Sequence, residues 1–514
     1  MGRGTRKLPA VAHTTPVDND KDMSSVTVPM VTPELLAKYE PVIGLEVHVQ
    51  LATRSKLFCA CPSGFGAPPN TNVCPVCLGL PGALPVLNRA AVEMAMKAGM
   101  AIHCQVRPFS RFARKNYFYP DLPKGYQISQ YELPVAEHGF VEIALDGGTK
   151  RIGVTRVHLE DDAGKSLHDG FRDSDRYTCV DLNRSGTPLI EIVSDPDLRS
   201  SEEAYAYLTE LKLVLQYIQV STCDMEKGHL RCDANVSVRP LGQERFGTRA
   251  EVKNLNSFRF LKLALDYEIA RQVALLESGG TVEQETRLYN PDTGETAGMR
   301  SKEHAHDYRY FPEPDLVPLR ISDAWRERVR SETPELPALR RRRFVEVYGL
   351  REYDAQVLTF TREMSEYFER AASASGDPRA AANWVMGDLA AALKEAGKEI
   401  AESPVAAEQL GELLSFIAQG EISGKQAKEV FSKMFASGES PRAIIEREGF
   451  KQITDAGALA KIVDDVLAAN PKQVEQYKSG KTTVLGFLVG QAMKASRGQA
   501  NPAAISQLFK EKLG

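Results

Sequence analysis

The run Pro41-Val-Ile-Gly-Leu-Glu-Val-His-Val-Gln50 alternates apolar and polar residues, and close behind it stand Cys59-x-Cys61 and, twelve residues on, Cys74-x-x-Cys77. Successive side chains of a strand point to opposite faces, so this period of two predicts a half-buried β-strand. It also puts Glu46 and His48 on one face, within reach of a single ion or substrate. The cysteines offer a closed shell of four soft thiolates, which suits structural zinc because a saturated tetrahedral site leaves no position for substrate. One segment therefore carries two metal chemistries, one of soft sulfur and one of carboxylate and imidazole.

Outward from this segment the chain changes texture. Its 514 residues suggest roughly three domains at about 150 residues each. A net charge of −4 gives no overall field that would draw in nucleic acid, so any RNA contact must be local. No uncharged apolar run of about 18 residues is present, and the chain reads as soluble, cytoplasmic and without a membrane span. Residues 1–35 lack the apolar stretch of a secretory signal, and Asp18, Asp20 and Asp22 argue against a mitochondrial leader, so they read as a disordered leader with Met23 or Met30 as alternative starts. With no export signal, the eight cysteines point to metal or free thiols rather than disulfides.

Residues 36–334 are rich in β-branched runs such as Arg151–Val157, Pro188–Val193 and Asn235–Arg239, with helices expected over Asn88–Ile102, Ser201–Tyr217 and Phe258–Glu277. Residues 335–440 are expected to form an all-helical domain, with helices over Leu339–Tyr348, Ala355–Ala372, Ala380–Ala396 and Ala406–Ala418. Residues 441–514 continue as a small tail of short helices broken at Gly449, Pro471 and Lys478–Lys481. The class is α+β, a strand-rich domain bearing a cysteine loop at 59–77, followed by helices.

Two phosphate-loop lookalikes fail. Asp162-Ala-Gly-Lys-Ser166 has Leu159 where the loop needs its first glycine, and Gly480-Lys-Thr482 has Glu475 there. Any ATP must be held by another architecture. Polar clusters remain. His158 and Glu160 share a strand face with Asp162 following, and Glu191 interrupts the apolar strand Leu189-Ile-Glu-Ile-Val193, where a buried acid is costly unless paired or bound to metal. Glu160, Asp162 and Glu191, together with Glu46, His48 and Asp161, make a mostly oxygen-rich site suited to Mg²⁺ that also holds phosphate. Arg114, Lys115, Lys124 and Arg184 are candidate phosphate ligands, and Tyr117, Tyr119 and Tyr126 either stack on a base or pack at a loop foot. Arg231, Asp233 and Asn235, then Glu251, Lys253 and Asn254, repeat the polar pattern, and Asn183 precedes Arg184.

Pro41–Val49, Arg114–Asp121, Tyr126–Gln130, Asp161–Lys165, Asp181–Arg184, Arg231–Asn235 and Lys253–Ser257, in that order, resemble the B-subunit family of the glutamyl/aspartyl-tRNA amidotransferases over nearly the whole chain. The resemblance implies a cradle-like catalytic domain in a heterotrimer with an amidase (A) subunit and a small (C) subunit. It also implies ATP- and Mg²⁺-dependent phosphorylation of the side-chain carboxylate of Glu-tRNA(Gln) or Asp-tRNA(Asn), and amidation by ammonia from the amidase. Carried over, the family's catalytic and Mg²⁺ site falls on Glu46, His48, Asp161 and Glu191 with Glu160 beside them. Asp161 stands where some relatives carry glutamate, one methylene longer. From the polar clusters themselves, the candidate ATP and substrate contacts are Arg114, Lys115, Tyr117, Tyr119, Lys124, Tyr126, Asn183, Arg184, Arg231, Asp233, Asn235, Lys253 and Asn254. Cys59, Cys61, Cys74 and Cys77 match a zinc-bearing form of the family, and Lys425, Lys428, Lys481, Lys494 and Arg497 are candidate tRNA contacts. A zinc-stabilised tRNA-binding scaffold without chemistry is the alternative, and it would have no need of the carboxylates.

Overall fold

The computed structural model describes residues 31–145, 148–299, 308–450, 456–496 and 500–514. The expected leader lies almost wholly outside these residues, as do both alternative starts and Arg497. The chain divides into two compact units, Met1–Pro334 and Glu335–Gly514.

The first unit is built on strands β1 (Tyr39–Gln50), β2 (Gln105–Val106), β3 (Phe109–Ser110), β4 (Ala113–Asn116), β5 (Tyr126–Ser129), β6 (Ala136–Leu145), β7 (Gly148–Asp161), β8 (Lys165–Leu167), β9 (Cys179–Asp181), β10 (Pro188–Ser194), β11 (Leu230–Pro240), β12 (Ala250–Lys253), β13 (Thr286–Asn290), β14 (Glu295–Gly298), β15 (Phe311–Pro312) and β16 (Leu319–Arg320). Twelve of these form one sheet in the order β14-β13-β12-β11-β1-β10-β7-β5-β4-β15, with β6 on β7 and β2 on β6. The opening strand is central, antiparallel to β10 on one side and to β11 on the other.

The period of two in β1 is what fixes its faces. Leu45, Val47 and Val49 are fully buried on one face, while Glu46, His48 and Gln50 alternate onto the other. Helices Arg89–Ala101, Ser201–Tyr217 and Phe258–Glu277 pack on this unit's strands. Their starts follow local chemistry, since Asn88, Ser200 and Ser257 each accept a hydrogen bond from a first-turn amide. A slip of one residue would carry Leu45, Val47 and Val49 onto the polar face and turn Glu46 and His48 into the core, so the register is strongly specified.

The second unit holds two apolar cores. Phe344, Phe368, Leu410, Leu413, Val430 and Met434 belong to the first, and Val463, Leu488, Ala492, Ile505 and Phe509 to the second. Ile444 and Ile445, from helix Pro441–Glu448, pack into the first core. The change of core therefore falls beyond Phe450 rather than at residue 441. The expected helix over Ala355–Ala372 is two, Glu352–Leu358 and Arg362–Ser375, because the Thr361 hydroxyl accepts from the Met364 amide and starts a new helix. The stretch expected as Ala380–Ala396 runs from Pro378 and carries a π turn at Val385–Leu389. No helix among the described residues is long and apolar enough to cross a membrane.

Candidate active site

Strand register assembles the site. His48 lies opposite Glu191 on β10 and Arg231 on β11, and Glu191 lies opposite His158 on β7. Directly opposed residues of antiparallel strands share a face, so Arg231, His48, Glu191 and His158 form one row across four strands. The next row carries Asp233, Glu46 and Arg156. These rows line a cleft of about 550 Å³, with Lys115, Tyr117, Gln127, Ser129, Tyr131, Glu160, Asp162, Glu251, Lys253, Asn254, Tyr308 and Tyr310 around them.

At the centre, His48 Nε2 lies 3.2 Å from Glu191 and 4.0 Å from Glu160, and His158 Nε2 lies 3.8 Å and 3.6 Å from the same carboxylates. One ligand atom each from His48, Glu160 and Glu191 fall within 4.8 Å of one another. Burial works against a charged Glu191, yet His158 and His48 hold its carboxyl well below the usual range. His48 moves the other way. Burial opposes its charge, but the hydrogen bond to Glu191 and the nearby Glu160 raise its pKa. Burial, with Glu191 and Glu251 as like charges, raises Glu46, whose carboxylate accepts a 2.9 Å hydrogen bond from Asn235.

Cations surround the acids. Burial opposes the Lys115 charge, but Glu160 and Glu191 raise its pKa overall. Arg231 reaches Asp162 at 2.9 Å, and Lys253 bridges Asp233 at 2.8 Å and Glu251 at 2.7 Å. Asn254 turns the chain out of β12 with φ at 67°, a left-handed conformation that asparagine tolerates better than most residues, and its amide donates to the Tyr289 carbonyl. Tyr117 donates to Gln127 at 3.2 Å, and burial keeps its hydroxyl neutral.

The structure separates several residues that the sequence suggested together. Asp161 faces away from Glu160 because adjacent strand residues alternate. It is fully buried, ion-paired with Lys124, and accepts the Ile128 amide at 2.7 Å. Glu160 takes the place expected for Asp161 beside His48 and Glu191. The same alternation turns Arg114 and Tyr126 off the cleft, where Arg114 makes two 2.8 Å hydrogen bonds to Glu313 and lies 4.2 Å from the Tyr126 ring. Lys124 is held by Asp161, and Tyr119 is 62% exposed outside the cleft. Asn183 braces the cysteine loop, accepting the Asn72 amide and donating to Pro68. Arg184 holds the turn after β7 through the Ala163 carbonyl. Arg156, Tyr131, Tyr308 and Tyr310 carry no role in the sequence reading, and His158 and Glu251 stand there only within polar clusters, outside the chosen site residues. For His158 and Glu251 the signal was present, since each stands two residues from a chosen site residue on the same strand.

The sulfurs of Cys59, Cys61, Cys74 and Cys77 also lie within 4.8 Å of one another. All eight cysteines of the chain are free thiols. Cys77 is pulled down to about 4, first by its hydrogen bond with Cys59 and also by the Cys74 backbone and the Lys56 charge, while Cys61 is pushed up to about 11 chiefly by burial. Beneath them Lys56 is fully buried and donates to the Asn72 carbonyl at 2.7 Å. In the second unit Lys425, Lys428, Lys481 and Lys494 are exposed, and Lys428 pairs with Asp388 at 2.9 Å.

Comparison with known proteins gives two family matches, the GatB/GatE catalytic domain over residues 41–327 and the GatB domain over 366–513. The chain is similar to the B subunit of the aspartyl/glutamyl-tRNA(Asn/Gln) amidotransferase of Carboxydothermus hydrogenoformans, 57% identical over 93% of this chain and 99% of the relative. The protein of the same name from Geobacter sulfurreducens is 57% identical over 92% of this chain and 99% of its own. That from Alkalilimnicola ehrlichii is 59% identical over 93% and 99%.

Proposed function

Because this chain belongs to the B-subunit family of the aspartyl/glutamyl-tRNA(Asn/Gln) amidotransferases, we propose that its cleft activates a side-chain carboxylate on misacylated tRNA by phosphorylation. The family's enzyme is a glutamine-hydrolysing ligase that forms carbon–nitrogen bonds, and the chain is a component of that machinery. The observation that carries the reading is the cluster of His48, Glu160 and Glu191 at the floor of a cleft ringed by cations.

The cluster fits a divalent cation. Glu160 and Glu191 are buried, and Glu160 Oε2 and His158 Nδ1 have no hydrogen-bond partner among the described residues. Desolvating two carboxylates costs several kcal/mol per ion unless they are paired, and a cation among them offsets that cost. His48, Glu160 and Glu191 would hold it, and Mg²⁺ there would neutralise phosphate charge. Glu46 would help hold the cluster through its bond with Asn235. Lys115 and Arg156 would meet phosphate oxygens, and Arg231 and Lys253 anionic groups at the far side.

The reaction requires activation because a carboxylate would have to expel oxide or hydroxide. An oxygen of the substrate carboxylate attacks the γ-phosphorus of ATP, the bond to the β-phosphate oxygen breaks, and ADP leaves. Ammonia then attacks the acyl carbon, the phosphate departs with the bonding pair, and one ammonia proton passes to it. The chain lacks an amidase Ser-Ser-Lys signature, so ammonia comes from a glutaminase partner, which we take to be the amidase (A) subunit, with the small (C) subunit alongside. The cysteine quartet fits zinc and would brace the loop at 59–77 rather than take part in the chemistry. Lys425, Lys428, Lys481 and Lys494 would meet tRNA phosphates, and the setting is the cytoplasm. Whether Glu-tRNA(Gln), Asp-tRNA(Asn) or both are used is read by assaying both.

The test reconstitutes the chain with both partners and follows ATP-dependent amidation of each misacylated tRNA. Conversion with ADP release supports the reading. A chain that binds tRNA and partners but supports no ADP release is a scaffold, and the proposal is then wrong.

A further inference from the structure

Tyr131, two residues beyond the end of β5, and Tyr310, immediately before β15, stack face to face with ring centroids 4.3 Å apart and planes 10° from parallel. The pair stands at the rim of the cleft rather than in a core, and Tyr131 is 47% exposed. Arg156 joins it to the acids. Its guanidinium lies 5.7 Å from the Tyr131 ring centre and 3.9 Å from Glu191. Lys115 adds a second cation alongside, with Nζ 4.9 Å from the ring of Tyr308.

The segment carrying Tyr310 is fastened. The Asn116 amide donates to the Tyr308 carbonyl at 3.0 Å, and the Asn116 side chain donates to the Arg309 carbonyl at 2.8 Å. Between the two tyrosines Tyr308 and Tyr310, Arg309 takes φ 45°, a left-handed conformation that is strained in a residue with a β-carbon. The strained turn holds both rings toward the cleft.

From rim to floor the wall is aromatic at Tyr131 and Tyr310, cationic at Arg156 and Lys115, and anionic at Glu191 and Glu160 beside His48. A magnesium-bound nucleoside triphosphate has the same order of chemistry in base, phosphates and metal. An aminoacylated adenosine lacks the polyanion that the middle layer matches. We propose that the Tyr131–Tyr310 pair seats the adenine of ATP by stacking, with Arg156 and Lys115 beneath the phosphates. The inference deepens the carboxylate-kinase reading and rests on it.

The test measures equilibrium binding by the full chain, in its complex with both partners, of three probes in Mg²⁺ buffer: ATP, inorganic tripolyphosphate and uncharged tRNA. Stacking on an aromatic side chain is worth about 1–3 kcal/mol per base, so Tyr131→Ala and Tyr310→Ala should each weaken ATP by about 5- to 150-fold. Tripolyphosphate and tRNA affinities should hold, and Tyr131→Phe, which keeps the ring, should bind ATP within about twofold of wild type. Equal losses of ATP and tripolyphosphate, or unchanged ATP affinity, would overturn the assignment. Weakened tRNA with intact ATP would do so too, since the pair would then serve the terminal adenosine. A wild-type complex that binds no ATP would bring down the kinase reading itself.

Discussion

His48 and Glu191 stand directly opposite each other on adjacent antiparallel strands, with the imidazole Nε2 3.2 Å from the carboxylate. The pair belongs to the donor set assigned to the metal, so removing either member should cost several kcal/mol of charge stabilisation. His48→Ala and Glu191→Gln are therefore expected to lower tRNA-dependent ADP release by roughly 10²–10³-fold, at about 1.4 kcal/mol per tenfold. Glutaminase activity of the partner should persist in both, as measured by glutamate release without tRNA.

Glu160 and Asp161 are sequence neighbours with opposite environments. Glu160→Gln should abolish high-affinity Mn²⁺ binding, followed by electron paramagnetic resonance with Mg²⁺ as competitor. Asp161→Ala should leave metal binding in place but strand the buried Lys124 ammonium, at a cost of about 3–5 kcal/mol in denaturant unfolding. Loss of metal in the Asp161 variant with unchanged stability would reverse these assignments.

The purified chain should contain one equivalent of zinc by elemental analysis, and Cys74→Ser with Cys77→Ser should remove it. Structural zinc contributes folding energy, so the melting temperature should fall while ATP-dependent amidation well below that temperature survives. If chelation abolished activity without affecting stability, zinc would have a role in the reaction.

In the second unit, Glu335 accepts from Arg343 and Arg340, and the Arg343 hydrogen bond first of all holds its carboxyl below the usual range. A depressed folded pKa means that the contribution is present above the unfolded value, about 4.3, and is lost as pH falls through the folded value. Wild type should therefore melt above Glu335→Gln at pH 7, with the gap closing progressively below about pH 4. Calorimetric melting at stepped pH reads this. A gap that widened in acid would contradict the assigned pairing.

Gly164 lies in the turn after β7, where a β-carbon would meet Leu182 Cδ2 at 2.8 Å and the Asp121 carbonyl at 2.9 Å. Gly164→Ala should cost about 1–3 kcal/mol from overpacking, seen in denaturant melts. It should also weaken ATP binding, because the displaced turn carries Asp162, which Arg231 and Gln50 grip.

The sequence by itself determined the elements and the chemistry on offer. Alternation in Pro41–Gln50 was enough to put Glu46 and His48 on one face, and the helices Ser201–Tyr217 and Phe258–Glu277 were legible with the same bounds the structure gives them. Cysteine spacing brought out the quartet, because all four ligands lie within one short loop. Local rules reach that far, since strand period and helix capping act over a few residues. Tertiary structure alone decided which distant side chains meet. Whether Glu160 or Asp161 joins His48 depends on the pairing of β7 with β10 and β10 with β1, a register that joins segments far apart in the chain. Pairing of β4 with β5 and of β5 with β7 sends Arg114 and Tyr126 to the opposite face, and pairing of β7 with β10 brings in His158 and Arg156. Tyr131 and Tyr310 meet only because β15 returns to β4, an edge pairing two residues long that leaves no periodic trace in the sequence.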